Sequence, residues 1–410
     1  MQENELHRLQ SRTVKVLTLG QILGGFGLGS TLSIGALLAE HISGTPSWSG
    51  AAATFSTLGA ATWAIPLSRI AYRLGRRRAL ATGAAIAISG ASLMITAAAV
   101  MQLWLLLLGL FLLGAGSASG LQARFAATDL PSTRSKGRDL AIVVWATTGG
   151  AVIGPNLFGP GEVLGKFFNL PHLTGPFLIT IAAQIMATTT FWFGLRPDPL
   201  LTALKLSKAK ELNRRSLRSA MQTIRANPMA LYAMITIALS HMVMVSVMSM
   251  TPVHMEHTGA TLTIVGFTIS LHIAGMYAFS PLFGMLADRI GKLPTVLVGQ
   301  VIFIGALMFA GFGSMQLQTI DIGLFLLGLG WSASTVSAAA LLVESVPVEQ
   351  KTNVQGASDS LMMLSGAFGG AVSGSVLAAF AFLGLNLAAL VPVSVIVLLS
   401  GLTLLRKNWV

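Results

Sequence analysis

Long apolar runs recur along the whole chain, and short polar segments separate them. Apolar runs of about 20 residues predict helices that cross the hydrocarbon core of a membrane. The first run is too long and too rich in glycine for a cleaved signal peptide. The pattern therefore predicts an all-α membrane protein. Twelve spans are predicted, at about 13–39, 48–71, 79–100, 103–128, 139–160, 174–195, 228–253, 262–287, 293–314, 320–343, 358–381 and 384–405.

The longest polar interruption in this pattern is residues 196–226. The segment is basic, and we interpret it as a partly helical cytoplasmic linker between two six-helix halves. The predicted domains are therefore an N-terminal six-helix bundle at 1–195, the linker at 196–226 and a C-terminal six-helix bundle at 227–410.

The two halves resemble each other in sequence. An ungapped alignment places Asp139 on Asp359 and the pair Gly149–Gly150 on the pair Gly369–Gly370. Internal repeats of this kind are typical of secondary transporters, in which two bundles move about a central site. We therefore expect two pseudo-symmetric bundles.

Charge is scarce and unevenly distributed. Only 10% of the residues are charged while 53% are hydrophobic, which excludes a soluble protein of this length. With the N-terminus in the cytoplasm, 25 of the 26 Lys and Arg residues lie on the cytoplasmic side, and only Lys166 lies outside. The positive-inside rule then places both termini in the cytoplasm. The net charge of +12 indicates contact with anionic lipid rather than nucleic acid.

Methionine and histidine are concentrated in the seventh predicted span, in HMVMVSVMSMTPVHMEH at 241–257. Four of these side chains fall within an arc of about 60° on one helix face. They are His241, Met244, Met248 and Met255. The eighth span carries His272 and Met276 one helical turn apart, at a depth that overlaps the first set.

This pattern allows two interpretations. Thioether and imidazole groups are suitable ligands for copper, above all Cu(I), and the absence of Cys means that a soft-metal site must rest on Met and His. Methionine is also an adaptable packing residue, and an intramembrane histidine can carry a proton or bind a substrate. At the outer mouth, His254, Met255 and His257 are candidates to collect an ion.

Two loops at equivalent places in the halves carry a recognisable pattern. GMLADRIGK at 284–292 follows the eighth span, and SRIAYRLGRRRAL at 68–80 follows the second. The first resembles the signature loop of the major facilitator superfamily, G-x-L-A-D-R-x-G-R/K. The second departs from it, because Tyr72 stands where the acid is expected. The resemblance covers essentially the whole chain and implies a transporter of two six-helix bundles. We expect a monomer, because each chain of two bundles encloses its own transport path.

In this family the loop acid latches the cytoplasmic side shut by pairing with a cation or a helix N-terminus. Because the first-half acid is missing, our hypothesis is that Asp359 supplies it and meets Arg69 or Arg73; the alternative is that these are ordinary interfacial charges. Asp129 is expected to form a cytoplasmic network with Arg134 and Arg138. The residues expected to act in gating are Gly284, Asp288, Arg289, Gly291, Arg73, Asp129 and Asp359.

A finer resemblance concerns the substrate. MVSVM at 244–248 and HIAGM at 272–276 resemble the MxxxM and HxxxM pair of the bacterial copper importers of this superfamily, which supply cytochrome c oxidase assembly. It implies copper ligands at Met244, Met248, His272 and Met276, with accessory metal or proton sites at His241, His254, Met255 and His257. It also implies a place in the bacterial inner (plasma) membrane. Members of that branch can contain important cysteines, and this chain has none.

Two other functions remain open. GAVIGPNLFG at 150–159 resembles a fifth-helix motif of exporters, although the Arg expected in their fourth helix is Leu110 here. In a proton-coupled exporter of amphipathic organic compounds, His241 and His272 would carry protons and Trp63 and Trp145 would line an apolar pocket. A receptor that docks partners on its linker is the third alternative. Since the sequence shows neither a nucleophile with a base nor a phosphate-binding loop, we expect no enzymatic activity and no cofactor.

Overall fold

A computed structural model describes residues 3–127, 129–130, 136–207, 217–346 and 351–407. These residues form helices, with one 3₁₀ turn at Pro46–Trp48 and no strand among them. The helices are α1 (Glu3–Ser43), α2 (Ser49–Leu74), α3 (Arg76–Ala99), α4 (Leu103–Ala126), α5 (Lys136–Asn156), α6 (Phe158–Phe167), α7 (Gly175–Gly194), α8 (Pro199–Ser207), α9 (Leu217–Ala226), α10 (Pro228–His257), α11 (Leu262–Tyr277), α12 (Ser280–Ile290), α13 (Lys292–Phe312), α14 (Leu317–Glu344) and α15 (Lys351–Lys407).

These helices match the twelve predicted spans. The fifth span is α5 with α6, the eighth is α11 with α12, and α15 contains the eleventh and the twelfth. The division of α15 is at Ala381, which has φ 54° and ψ −174°. By length and composition, eight helical segments of the described chain are apolar enough to cross a membrane, with α15 counted as one. The predicted all-α membrane architecture is confirmed.

The chain forms two compact units. The first contains residues 1–44, 55–212 and 261–270, and the second contains 45–54, 213–260 and 271–410. Segment 45–54 is in the N-terminal half of the sequence but belongs to the second unit. Segment 261–270 is in the C-terminal half but belongs to the first unit. The predicted domain boundaries, 1–195, 196–226 and 227–410, stay a prediction.

The first unit is held together by small residues. In α3, a Cβ on Gly90 would lie 2.6 Å from the Gly109 carbonyl oxygen of α4, which shows how closely the two backbones approach. Small side chains permit such contact, and this is how helices associate inside a membrane, where apolar burial alone gives little. A buried apolar cluster completes the packing and includes Leu17, Leu80, Ala123, Val143 and Phe191.

The second unit is built around α10, whose side chains are buried along most of its length. Ala233, Val296, Ala338 and Ile396 are among the core residues that join α10 to its neighbours. The first turn of α2 also belongs to this unit. Gly50 lies so close to α15 that a Cβ would overlap the Gly370 carbonyl oxygen. Glycine is therefore required on both α2 and α15 at this contact.

Candidate substrate site and gating loops

His272 is fully buried on α11 and has a defined tautomer. Its Nδ1 lies 2.8 Å from the Leu324 carbonyl oxygen of α14. Since a carbonyl can only accept, Nδ1 carries the hydrogen and donates it. The other nitrogen, Nε2, is then an acceptor, and it is buried without a hydrogen-bond partner. A bare acceptor in this position is costly unless a ligand satisfies it.

The backbone of α14 fixes the position of His272. A Cβ on Gly328 would overlap the His272 carbonyl oxygen and come within 2.9 Å of the Met276 nitrogen. A Cβ on Gly275 would lie 2.6 Å from the Phe325 carbonyl oxygen. The two helices are thus in direct backbone contact where His272 and Met276 occur, and both of these side chains are buried.

The methionines of the seventh span are buried as well. Met244 and Met248 lie one turn apart on α10 and are almost inaccessible. Among the described residues, no group of three or more His, Asp or Glu side chains is arranged to hold a metal ion. A metal site in this part of the chain would therefore depend on thioether ligands, as the sequence indicates.

His241 is part of an aromatic cluster that the sequence analysis did not identify. The Trp331 Nε1 of α14 donates to His241 Nδ1 at 3.3 Å, and the two ring centroids are 6.2 Å apart. The Tyr277 ring packs edge-on against Trp331 with a centroid distance of 5.8 Å. Trp331 therefore connects α10, α11 and α14. Nothing in the local sequence predicts this, because the three residues are far apart along the chain.

The buried histidines His241 and His272 present opposite hydrogen-bonding groups. Indole N–H can only donate, so His241 Nδ1 accepts and its Nε2 carries the hydrogen. The His241 ring lies against α15, where a Cβ on Gly366 would come within 2.8 Å of it. His241 therefore provides a donor at Nε2, while His272 provides an acceptor at Nε2.

Near the C-terminal end of α10, His254 is engaged in packing. Its Nε2 donates to the Ser314 carbonyl oxygen at 2.7 Å, and its ring stacks on Phe382 at a centroid distance of 4.3 Å. Met255 is fully buried and His257 is exposed. Of these three accessory candidates, His257 alone lies open at the surface.

The two signature loops share a backbone feature. Gly75 has φ +90° and Gly291 has φ +98°, in a region that favours glycine, and each residue directly precedes a helix. In the second-half loop, Asp288 and Arg289 are exposed, and a Cβ on Gly284 would meet no atom within 4 Å. The turn geometry explains why glycine occurs at Gly75 and Gly291.

The remaining gating candidates lie in different environments. Asp359 is half-buried, whereas Arg73 is exposed. Asp129 pairs with Arg76 through two contacts, at 2.8 and 3.2 Å, a partner that sequence reasoning missed. Of its two expected partners, Arg134 lies outside the described residues, as does the Arg138 side chain.

The identity of the family follows from comparison with known proteins. The family model described as Major Facilitator Superfamily matches residues 17–370 and 234–408. The chain belongs to the Major Facilitator Superfamily. Membership of this family makes the chain a multi-pass membrane protein and a secondary transporter, in agreement with the apolar helices and the signature loops.

Relatives within the Major Facilitator Superfamily cover nearly the whole chain. The uncharacterized MFS-type transporter YdeG of Bacillus subtilis is 37% identical over 92% of this chain and 89% of its own. The riboflavin transporter RfnT of Brucella anthropi is 26% identical, with 89% of each chain covered. The crystal structure of the human organic anion transporter MFSD10 matches with a TM-score of 0.63 at 17% identity, over 95% of this chain and 99% of that one. This last similarity concerns the fold alone.

Proposed function

We propose that the chain transports a small organic solute with a planar aromatic ring system across the bacterial inner membrane by alternating access. The observation that carries the proposal is that α14 holds two buried histidines in opposite tautomers, one through Trp331 and the other through Leu324. His241 offers a donor and His272 an acceptor, while Trp331 and Tyr277 offer ring faces and edges. A heteroaromatic solute with polar edges matches these groups.

The energetics favour a ligand of this kind. Stacking or edge contact between aromatic rings contributes about 0.5–1.5 kcal/mol beyond the burial of area. A buried acceptor without a partner costs about 1–3 kcal/mol, so a solute N–H or O–H that reaches His272 Nε2 recovers that amount. The relative named as a riboflavin transporter supports this solute class, because a flavin is a planar heteroaromatic with both donors and acceptors.

Uptake of labelled riboflavin and of other heteroaromatic solutes into proteoliposomes tests the proposal. Trp331→Ala removes a ring and the hydrogen bond to His241, for which we expect a loss of about tenfold or more in uptake. Trp331→Phe keeps a ring and loses only the N–H, so a smaller loss is expected. Trp104, which is 66% exposed on α4, gives the matched control as Trp104→Ala. Equal uptake by Trp331→Ala and the control would rule out this site.

A second candidate function is copper import, and the geometry of His272 favours it. Metal-ligating histidines usually donate their second N–H to a backbone carbonyl, as His272 does to Leu324. The proposed ligands are Met244, Met248, His272 and Met276, with His241, His254, Met255 and His257 as accessory metal or proton sites. An inside-negative potential favours cation entry by about 2.3 kcal/mol per charge per 100 mV, so no coupling ion is required.

Isosteric substitution separates the two functions. Met244→Leu and Met276→Leu keep volume and hydrophobicity, so transport of an organic solute should change little. Copper uptake should fall sharply, because leucine has no ligand atom. Radiolabelled copper uptake into intact cells, normalised to membrane abundance, gives the measurement. Copper accumulation that is unchanged in both variants would eliminate the copper proposal.

The proposals share one topology and one gating scheme. Both termini are placed in the cytoplasm, and the chain acts as a monomer without cofactor or enzymatic activity. The latch is assigned to the loop around Asp288 and Arg289, assisted by Arg73, Asp129 and Asp359. Accessibility of cysteines introduced at the termini tests the orientation without background, because the chain has no Cys.

A further inference from the structure

Asp198 lies directly before α8, near the start of the predicted linker, and its carboxylate contacts the starts of two helices. Oδ2 accepts a hydrogen bond from the Arg77 backbone N–H at 2.8 Å, in the first turn of α3. Oδ1 accepts one from the Leu201 backbone N–H at 3.1 Å, in the first turn of α8. The first N–H groups of a helix have no partner within the helix, and an aspartate at this position satisfies them.

The loop between α2 and α3 is shaped to receive this carboxylate. Gly75 has φ +90°, and a Cβ at this position would overlap the Asp198 carboxylate. The equivalent Gly291 has φ +98°, but the nearest atom to a Cβ there belongs to Pro294, 3.5 Å away. The two signature loops therefore share a backbone conformation, and an acid occupies the space beside the glycine only in the first.

Neighbouring arginines of the same loop are also engaged within the first unit. Arg76 forms its ion pair with Asp129 at 2.8 Å. The guanidinium group of Arg77 lies over the Trp192 ring of α7, 4.9 Å from its centroid, in a cation–π contact. The loop is thus bound on one side to the segment after α4 and on the other to the end of α7 and the start of the linker.

We propose that Asp198 is a positioning residue that fastens α8 to the α2–α3 loop, so that α8 moves with the first unit during transport. Asp198 belongs to the linker and places an acid beside the first-half loop, in which Tyr72 replaces the signature acid. The first-half loop then acts as a fixed clamp within its own unit. The moving part of the cytoplasmic latch is then the second-half loop around Asp288 and Arg289, and Arg73 and Asp129 assist it from the fixed first-half loop. This assignment requires a transporter of this superfamily and does not depend on which solute it carries.

Hydrogen–deuterium exchange on the full chain in detergent tests the clamp without any substrate. Asp198→Ala removes both caps, so the amides of Arg77 and Leu201 and the rest of α8 should exchange roughly tenfold faster. Asp198→Asn keeps one accepting oxygen and should give an intermediate rate. Lys205→Gln, at an exposed position of α8, is the control and should leave exchange unchanged.

Transport kinetics give the second readout, with whichever solute proves to be carried. The clamp predicts that Asp198→Ala lowers the maximal rate several-fold with the KM unchanged, because the clamp affects movement and not binding. The Asn variant should recover part of the rate. Unchanged α8 exchange in Asp198→Ala would overturn the proposal, as would a changed KM at full maximal rate. If Asp198→Ala does not fold, hydrogen–deuterium exchange of α8 is measured in Asp198→Asn instead. An exchange rate equal to that of wild type then refutes the clamp.

Discussion

The contact between α11 and α14 gives the sharpest test of how the second unit holds its candidate site. Gly328→Ala places a methyl group against the His272 carbonyl oxygen and within 2.9 Å of the Met276 nitrogen. Real Cβ atoms essentially never come closer than 3.0 Å to other heavy atoms, so the helices must separate. Because the atoms in contact are backbone atoms, no side-chain rotation can relieve the overlap.

The magnitude follows from two contributions. Overpacking of a close-packed interior costs about 1–3 kcal/mol. Separation of the helices also lengthens the 2.8 Å bond between His272 Nδ1 and the Leu324 carbonyl oxygen. Loss of that bond costs about 0.5–1.5 kcal/mol. We therefore expect Gly328→Ala to lower the free energy of unfolding by about 2–4 kcal/mol.

Thermal and denaturant unfolding in detergent, followed by tryptophan fluorescence, measures the change. Gly305→Ala is the matched control, since a Cβ at Gly305 of α13 would meet no atom within 4 Å. In a helix, alanine in place of glycine stabilises by about 0.5–1 kcal/mol where space allows. Uptake by the Gly328 variant should fall together with its stability. If Gly328→Ala proves as stable as Gly305→Ala, the close backbone approach of α11 and α14 is wrong.

Three other experiments test separate features of the fold. Ala381→Gly should raise the free energy of unfolding by about 1 kcal/mol, because φ 54° and ψ −174° belong to a region that strains any side chain; a lower melting temperature would contradict this. A double-mutant cycle with Arg76→Gln and Asp129→Asn should give a coupling energy of about 1–3 kcal/mol, since the pair is largely buried, whereas independent effects would refute the pairing. Gln10→Leu should cost about 1.5–3 kcal/mol in denaturant unfolding, because Gln10 Nε2 donates to the buried Asp139 carboxylate at 2.7 Å; a neutral effect would exclude that bond.

The spans were predictable because a membrane helix satisfies its backbone within itself and shows its apolar length directly in the sequence. The predicted span 79–100 corresponds to Arg76–Ala99, and 293–314 corresponds to Lys292–Phe312. The extension of α1 beyond its apolar run was not predicted. The helix α1 begins at Glu3, ten residues before the predicted start, because polar residues continue the same helix in water.

The candidate site was predictable only in its local part. Helical spacing identifies Met244 with Met248 and His272 with Met276 as pairs on one face. The tautomers of His241 and His272 depend on Trp331 and Leu324, which are distant in sequence. Such partners are set by helix packing, so no local pattern contains them.

The glycine contact between the first turn of α2 and α15 affects how sequence variation in this protein should be interpreted. At Gly50, every other amino acid would collide with the backbone at Gly370, whatever its polarity. A saturation scan scored by growth should therefore show Gly50 as intolerant to all replacements, as a solute-binding residue would be. The two causes differ in the pattern of tolerated residues. A binding position accepts some chemically similar replacements, whereas Gly50 should reject alanine as firmly as tryptophan, so intolerance there reports a steric limit and not recognition.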